Sequence, residues 1–179
     1  MPTRTTPDQD KEVKLKDDDL IVSKTDTKGK ITYANRSFMA ISGYSEQMLL
    51  EQPHNIIRHS DMPRGVYRLM WKMLQDGEEF FGFVKNRCLD GGYYWVFANV
   101  TADLDQNGVT QGYFSVRRQP PASAIQVCEE VYRNMRQIES QYHGNEGVNR
   151  SMAWLIEQVE SMAPSFNEAM ISLYQKGEA

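Results

Sequence analysis

Residues 54–63 read HNIIRHSDMP, which gathers His54, Asn55, Arg58, His59 and Asp61 around two isoleucines. Charged side chains are rarely buried unless paired, so this mixture of donors, acceptors and a cation suits the lining of a polar ligand better than a plain core. A second run, GFVKNRCLDGGYYWVFANVT at residues 82–101, reads as two strands joined through Asp90-Gly91-Gly92. Strand alternation separates Phe80, Gly82, Val84 and Asn86 from Phe81, Phe83, Lys85 and Arg87. Long cations belong in water, so Phe80 and Asn86 are expected to face inward. On the following strand Tyr94, Val96, Ala98 and Val100 fall on the inward parity, with Tyr93, Trp95, Phe97 and Asn99 on the other. Both parities are largely apolar, so the outer side of the sheet must be covered by the N-terminal segment, the C-terminal helices or a second subunit.

The elements around these runs follow from turn and cap residues. Leu20–Thr25 and Ile31–Ala34 read as strands of a hairpin turning at Gly29; Arg36–Ser42 reads as a helix stopped by Gly43, and Glu46–Glu51 as one ending before Pro53. Pro63 opens an amphipathic helix marked by Val66, Tyr67, Met70, Trp71 and Leu74, which runs to Gly77. Three strands follow at Phe80–Cys88, Tyr93–Thr101 and Val109–Arg118. From Ala122 the period becomes helical. One face carries Ile125, Cys128, Val131, Met135 and Ile138; a break spans His143–Gly147; Met152, Leu155, Ile156 and Val159 mark the next face; and Ser165 with Glu168 caps a last helix. The expected fold is α+β, a five-stranded antiparallel sheet with helices over one face, divided into a tail or cap at 1–16, a main domain at 17–121 and a helical extension at 122–179.

The bulk properties narrow the function class. The chain has 179 residues, 40% hydrophobic, 25% charged, with a net charge of −4. It can bury roughly 70% of its unfolded surface, and its scattered basic residues do not suggest a nucleic-acid partner. No apolar run approaches the roughly 20 residues that span a bilayer, and the start, MPTRTTPDQDKEVKLKDDD, lacks the apolar core of a signal peptide, so a cytoplasmic location without membrane insertion is expected. Cys88 and Cys128 show neither disulfide nor metal-ligand spacing and read as free thiols. No nucleophile with its base, phosphate loop or metal cluster is visible, which argues against an enzyme.

The two runs, in this order, resemble the PAS domain of bacterial aerotaxis and energy-taxis receptors over about Asp18 to Pro121. The resemblance implies the PAS fold and bound FAD. In that family the counterparts of Arg58, His59 and Asp61 hold FAD, and Trp71 also matches the pattern. Physically, Arg58 can bridge a pyrophosphate bidentately, and an aromatic ring can stack on a flat cofactor. Phe80 stands where the family places a pocket tryptophan, with less stacking area, and Ser60 where its motif has proline. Flavin photosensors of the wider family carry an asparagine at the place of Asn86 and a pocket glutamine at the place of Arg117, which shares its strand parity with Tyr113 and Ser115. Arg117 would favour a negatively charged, reduced flavin. The candidate cofactor residues are therefore Arg58, His59, Asp61, Trp71, Phe80, Asn86, Ser115 and Arg117.

The expected function is a stand-alone redox or energy sensor that signals to a membrane chemoreceptor or other output protein, with a homodimer as the expected assembly. A haem-binding gas sensor and a cofactor-free dimerisation module are the alternatives. Haem would need one of His54, His59 or His143 as ligand, whereas a photosensor would need a cysteine near Asn55–Arg58, where there is none.

Overall fold

The computed structural model describes residues 6–16 and 18–178. Five strands, β1 (Ile21–Asp26), β2 (Ile31–Ala34), β3 (Phe80–Arg87), β4 (Tyr93–Leu104) and β5 (Thr110–Arg118), form one antiparallel sheet in the order β2-β1-β5-β4-β3. Between β2 and β3 lie α1 (Arg36–Ser42), α2 (Glu46–Leu49), a 3₁₀ turn (His54–Ile57) and α3 (Arg64–Gln75); after β5 come α4 (Ala122–Gln141), α5 (Asn145–Glu160) and α6 (Phe166–Glu178). Among the described residues no helix is long and apolar enough to cross a membrane. The chain divides into two compact units. One runs through His59 and includes Lys85–Val96 and Val100–Gln119; the other comprises Ser60–Val84, Phe97–Asn99 and the chain from Pro120.

In the first unit, side chains that replace missing backbone partners set the element ends. Asn35 caps α1 by accepting from Phe38 N at 3.0 Å, accepts from Val22 N at 3.0 Å, and donates to Leu20 O at 2.8 Å. One amide thus fixes the start of α1 beside β1. Gly43 ends the helix with φ +75°, a left-handed conformation that costs glycine nothing. β1 and β5 pair in register, with Ile21 opposite Arg117, Ser23 opposite Ser115 and Thr25 opposite Tyr113. Residues opposite one another share a sheet face, so these six line one side.

Residues 1–5 of the expected tail lie outside the described residues, while residues 6–16 run without helix along the start of β4. Val13 N donates to Tyr93 O at 2.7 Å and Tyr93 N to Lys11 O at 2.9 Å. Lys85 and Arg87 do not extend into water as the alternation argument assumed. Both are buried: the Lys85 ammonium lies 4.2 Å from the centre of the Tyr93 ring, and Arg87 bonds Asp8 at 2.6 Å, with further bonds to the carbonyls of Thr6 and Cys88. The N-terminal segment supplies the partners that make this burial possible.

The second unit is organised by the helices α3 to α6 and an aromatic cluster. Phe97 stacks on Tyr174 of α6 at 4.5 Å and meets Phe83 at 4.9 Å, so the C-terminal helices cover this part of the outer parity, as the N-terminal segment covers Tyr93. The exposed edge of β3 is capped by side chains: Asn167 accepts from Phe81 N at 2.9 Å, and the Tyr132 hydroxyl donates to Phe83 O at 2.6 Å. α3 buries Gly65, Val66, Leu69, Met73 and Leu74, a stripe that keeps Val66 and Leu74 of the expected face but is rotated so that Tyr67, Met70 and Trp71 are only half-buried. The rotation follows from a close crossing, because a Cβ on Gly65 would stand 2.9 Å from Met152 N of α5. α5 itself begins at Asn145, inside the expected break.

One carboxylate joins α3, α4 and α5. Glu139 of α4 accepts from Arg64 N at 3.0 Å and Gly65 N at 2.8 Å at the start of α3, and from the Ser151 hydroxyl of α5 at 2.7 Å. It satisfies two of the amides that open α3 and meets the positive end of the helix. Glu139→Ala should therefore destabilise the protein by about 1–3 kcal/mol, and Glu139→Gln, which keeps the acceptor, by clearly less. Thermal unfolding of both variants beside the parent checks the order; equal midpoints would remove the capping role.

Candidate functional site

A buried polar cluster in the first unit centres on Arg117. Its guanidinium is 2% exposed, donates through Nη2 to the Ser23 hydroxyl, and lies with Cζ 4.8 Å from the centre of the Phe38 ring. Arg117 reaches this place because β5 alternation turns it to the face of Ile21 and Ser23 rather than to that of Val22. Nε and Nη1 are buried and have no hydrogen-bond partner among the described residues, and no carboxylate there pairs with the cation. Burial lowers its pKa to about 10, so it keeps its charge at neutral pH.

The surroundings of Arg117 are neutral. His54 stacks on Phe38 with ring centres 5.9 Å apart, and its Nε2 lies 3.1 Å from the Ser23 hydroxyl. Tyr94, fully buried, is held well above the usual phenol range by burial, an effect that the nearby Arg117 charge opposes. Asn86 stands beside the Tyr94 hydroxyl, but no hydrogen bond of normal geometry reaches that oxygen. Arg58 bridges Asn86 through backbone pairing, which sets the two side chains on one face. Ser115, half-buried, shares the parity of Arg117.

The structure thus brings Arg58, Asn86, Ser115 and Arg117 to the face that carries Ser23, His54 and Tyr94. His59 lies elsewhere: it is buried edge-on to Tyr93 at 5.8 Å, and Tyr93 has the opposite parity to Tyr94. Asp61, Trp71 and Phe80 belong to the second unit. There Asp61 pairs with Arg136 at 3.0 Å, Trp71 is half-buried on α3, and Phe80 stacks on Phe166 at 5.5 Å. Ser23 was missed as a site residue. Its signal was a hydroxyl at an inward position between Ile21 and Thr25, legible only once the β1–β5 register is known.

Residues 31–117 match the family model of the PAS fold. The aerotaxis receptor of Escherichia coli (strain K12) is 37% identical over 141 residues, which is 79% of this chain and 28% of that receptor. The chain carries a PAS domain of the aerotaxis-receptor family. A nitrogen fixation regulatory protein of Klebsiella pneumoniae is 35% identical over 115 residues, covering 64% of this chain and 23% of that protein. The chain therefore spans less than a third of the length of either relative. Among solved structures, a light-oxygen-voltage domain studied with a flavin analogue shares 19% identity at a TM-score of 0.55, over 64% of this chain and 86% of that one, a likeness of fold. In this PAS domain, the cluster around Arg117 joins the first strand to the last.

His54 gives the cluster a measurable signature. Burial first, and the Arg117 charge second, lower its pKa from 6.5 to about 3. Neutral His54 contributes its stability in full above pH 6.5; the contribution is lost as pH falls toward 3, because in that window only the unfolded chain takes up the proton. Between about pH 7 and about pH 5 the group should cost the parent about 2 kcal/mol, a loss that His54→Gln lacks. Urea unfolding of both proteins at the two pH values measures the difference, and parallel losses would show that His54 titrates normally.

Proposed function

We propose that this PAS domain is a redox or energy sensor that binds flavin as FAD and passes its state to a separate signalling protein, such as a membrane chemoreceptor. The observation that carries the reading is the buried Arg117 cation, with two unpartnered donor nitrogens and no carboxylate among the described residues. An uncompensated buried charge costs several kcal/mol, which an acceptor-rich ligand would offset. The donor set suits a planar ring that carries carbonyl and ring-nitrogen acceptors: Arg117 donates, Asn86 offers donor and acceptor together, and Tyr94 adds a hydroxyl. Kinship with the aerotaxis receptor supports the choice of sensor class.

Arg58, Asn86, Ser115 and Arg117 would hold the flavin, while His59, Asp61, Trp71 and Phe80 remain candidates through the family resemblance. Bound flavin supplies reversible reduction that adds negative charge to its ring. Arg117, still cationic at neutral pH, favours the reduced state by charge attraction. Its bond to Ser23 links β5 to β1, so a change in what Arg117 holds is felt on the neighbouring strand.

The absorption spectrum of the purified protein tests the cofactor: paired near-ultraviolet and blue bands are expected, whereas a sharp Soret band or no visible band would overturn the flavin reading. Arg117→Gln should shift the reduction equilibrium at least tenfold toward the oxidised form, a fall of about 30 mV for a two-electron couple. Unchanged potentials in a redox titration would remove Arg117 from the signal.

Arg58→Ala and Asp61→Ala should lose flavin while keeping a folded circular-dichroism spectrum. Arg136→Gln breaks the Asp61 ion pair without touching Asp61 itself. Flavin retained in Arg136→Gln but lost in Asp61→Ala would separate cofactor binding from that surface pair; retention in both Asp61→Ala and Arg58→Ala would exclude the segment from the site.

A further inference from the structure

The flavin reading leaves His54 without a task, yet the hydrogen bonds around Ser23 give it one. The Ser23 hydroxyl accepts from Arg117 Nη2 and lies 3.1 Å from His54 Nε2. Ser23 is 1% exposed, so its own proton needs an acceptor inside the protein. Were the proton of His54 on Nε2, Ser23 would receive donors from both sides and its own proton would be stranded, at a cost of about 1–3 kcal/mol. Nε2 is therefore the acceptor for Ser23, which leaves the proton of the neutral ring on Nδ1. The chain therefore runs in one direction, from Arg117 to Ser23 to His54.

We infer that His54 is a positioning residue for the Arg117 cation: its bare Nε2 accepts the hydrogen bond of the Ser23 hydroxyl, Ser23 in turn fixes one nitrogen of Arg117, and the two remaining nitrogens are presented to the acceptor edge of the bound flavin. This assignment rests on the flavin reading. Phe38 supports the arrangement from below, since it stacks on His54 and lies under the guanidinium. The groups facing His54 are Ser23 on β1, Phe38 on α1 and Arg117 on β5; none is a carboxylate that would hold the imidazole protonated. A charged imidazole would have no bare Nε2 for Ser23 and would repel Arg117, so the cation can be held in this pose only by a neutral His54.

Two measurements on the flavin-loaded protein decide the matter. Nitrogen-15 spectra of the parent should show His54 protonated on Nδ1 and bare on Nε2, a readout that needs no variant and survives any folding failure. In redox titration, His54→Leu and Ser23→Ala should each shift the equilibrium toward the oxidised form about tenfold, a fall of about 30 mV. His54→Gln, which restores an acceptor near the place of Nε2, should recover most of that shift. The double variant His54→Leu/Arg117→Gln should move no further than Arg117→Gln alone, because both changes act through one guanidinium. A proton on Nε2, an unmoved potential in His54→Leu, or additive shifts in the double variant would each overturn the role of His54 while leaving flavin binding intact. A purified protein with no flavin bands would overturn both readings together.

Discussion

A cation with no anion beside it governs the first unit. Arg117 is buried on the last strand of the sheet, and its neighbours among the described residues are neutral: a hydroxyl, a phenol, an imidazole and an aromatic face. Such a charge is tolerated when dipoles and rings replace part of its hydration, and each of the neighbours depends on the one before. Ser23 is in reach because β1 pairs with β5 in register; His54 is in reach because the chain after Pro53 turns through a short 3₁₀ segment; Phe38 is in reach because Asn35 sets the start of α1 against β1. A slip of one residue between β1 and β5 would turn Ser23 to the other face and leave all guanidinium nitrogens without it.

The sheet has apolar side chains on both parities, and the chain covers the outer one with its own ends. In the first unit residues 6–16 lie against Tyr93 and pair with buried Arg87; in the second, α6 lays Tyr174 on Phe97. The edge of β3 is closed differently, with side chains of α4 and α6 bonding its free backbone groups. Paired in this way, those two groups are withheld from the ladder of another chain.

Where a single residue type dictates a backbone outcome, the sequence was legible. Gly43 ends α1 where it was expected to, and the strand hairpin with Ile31–Ala34 appears where the turn residues placed it. Alternation also assigned Asn86 and Tyr94 to one face, and the resemblance to flavin photosensors added Arg117, although the premise that Lys85 and Arg87 reach water was wrong, because the N-terminal segment returns to cover them. Periodicity found Val66 and Leu74 of the buried stripe of α3 but not Leu69 and Met73, since a helix packed closely through Gly65 turns that side inward. Ser23, and with it the partnership between Ser23 and His54, escaped notice for another reason. Their partnership joins residues 31 positions apart, and a hydroxyl and an imidazole so separated carry no local pattern.

Glu139 has a consequence for how the second unit comes apart. Because the one acceptor sits on α4 and its donors on the first turn of α3 and on Ser151 of α5, an opening of α4 at that point strips the acceptor from both neighbours, whereas fraying of α3 or α5 leaves the other still bonded. Amide exchange near the start of α3 should therefore follow the opening of α4.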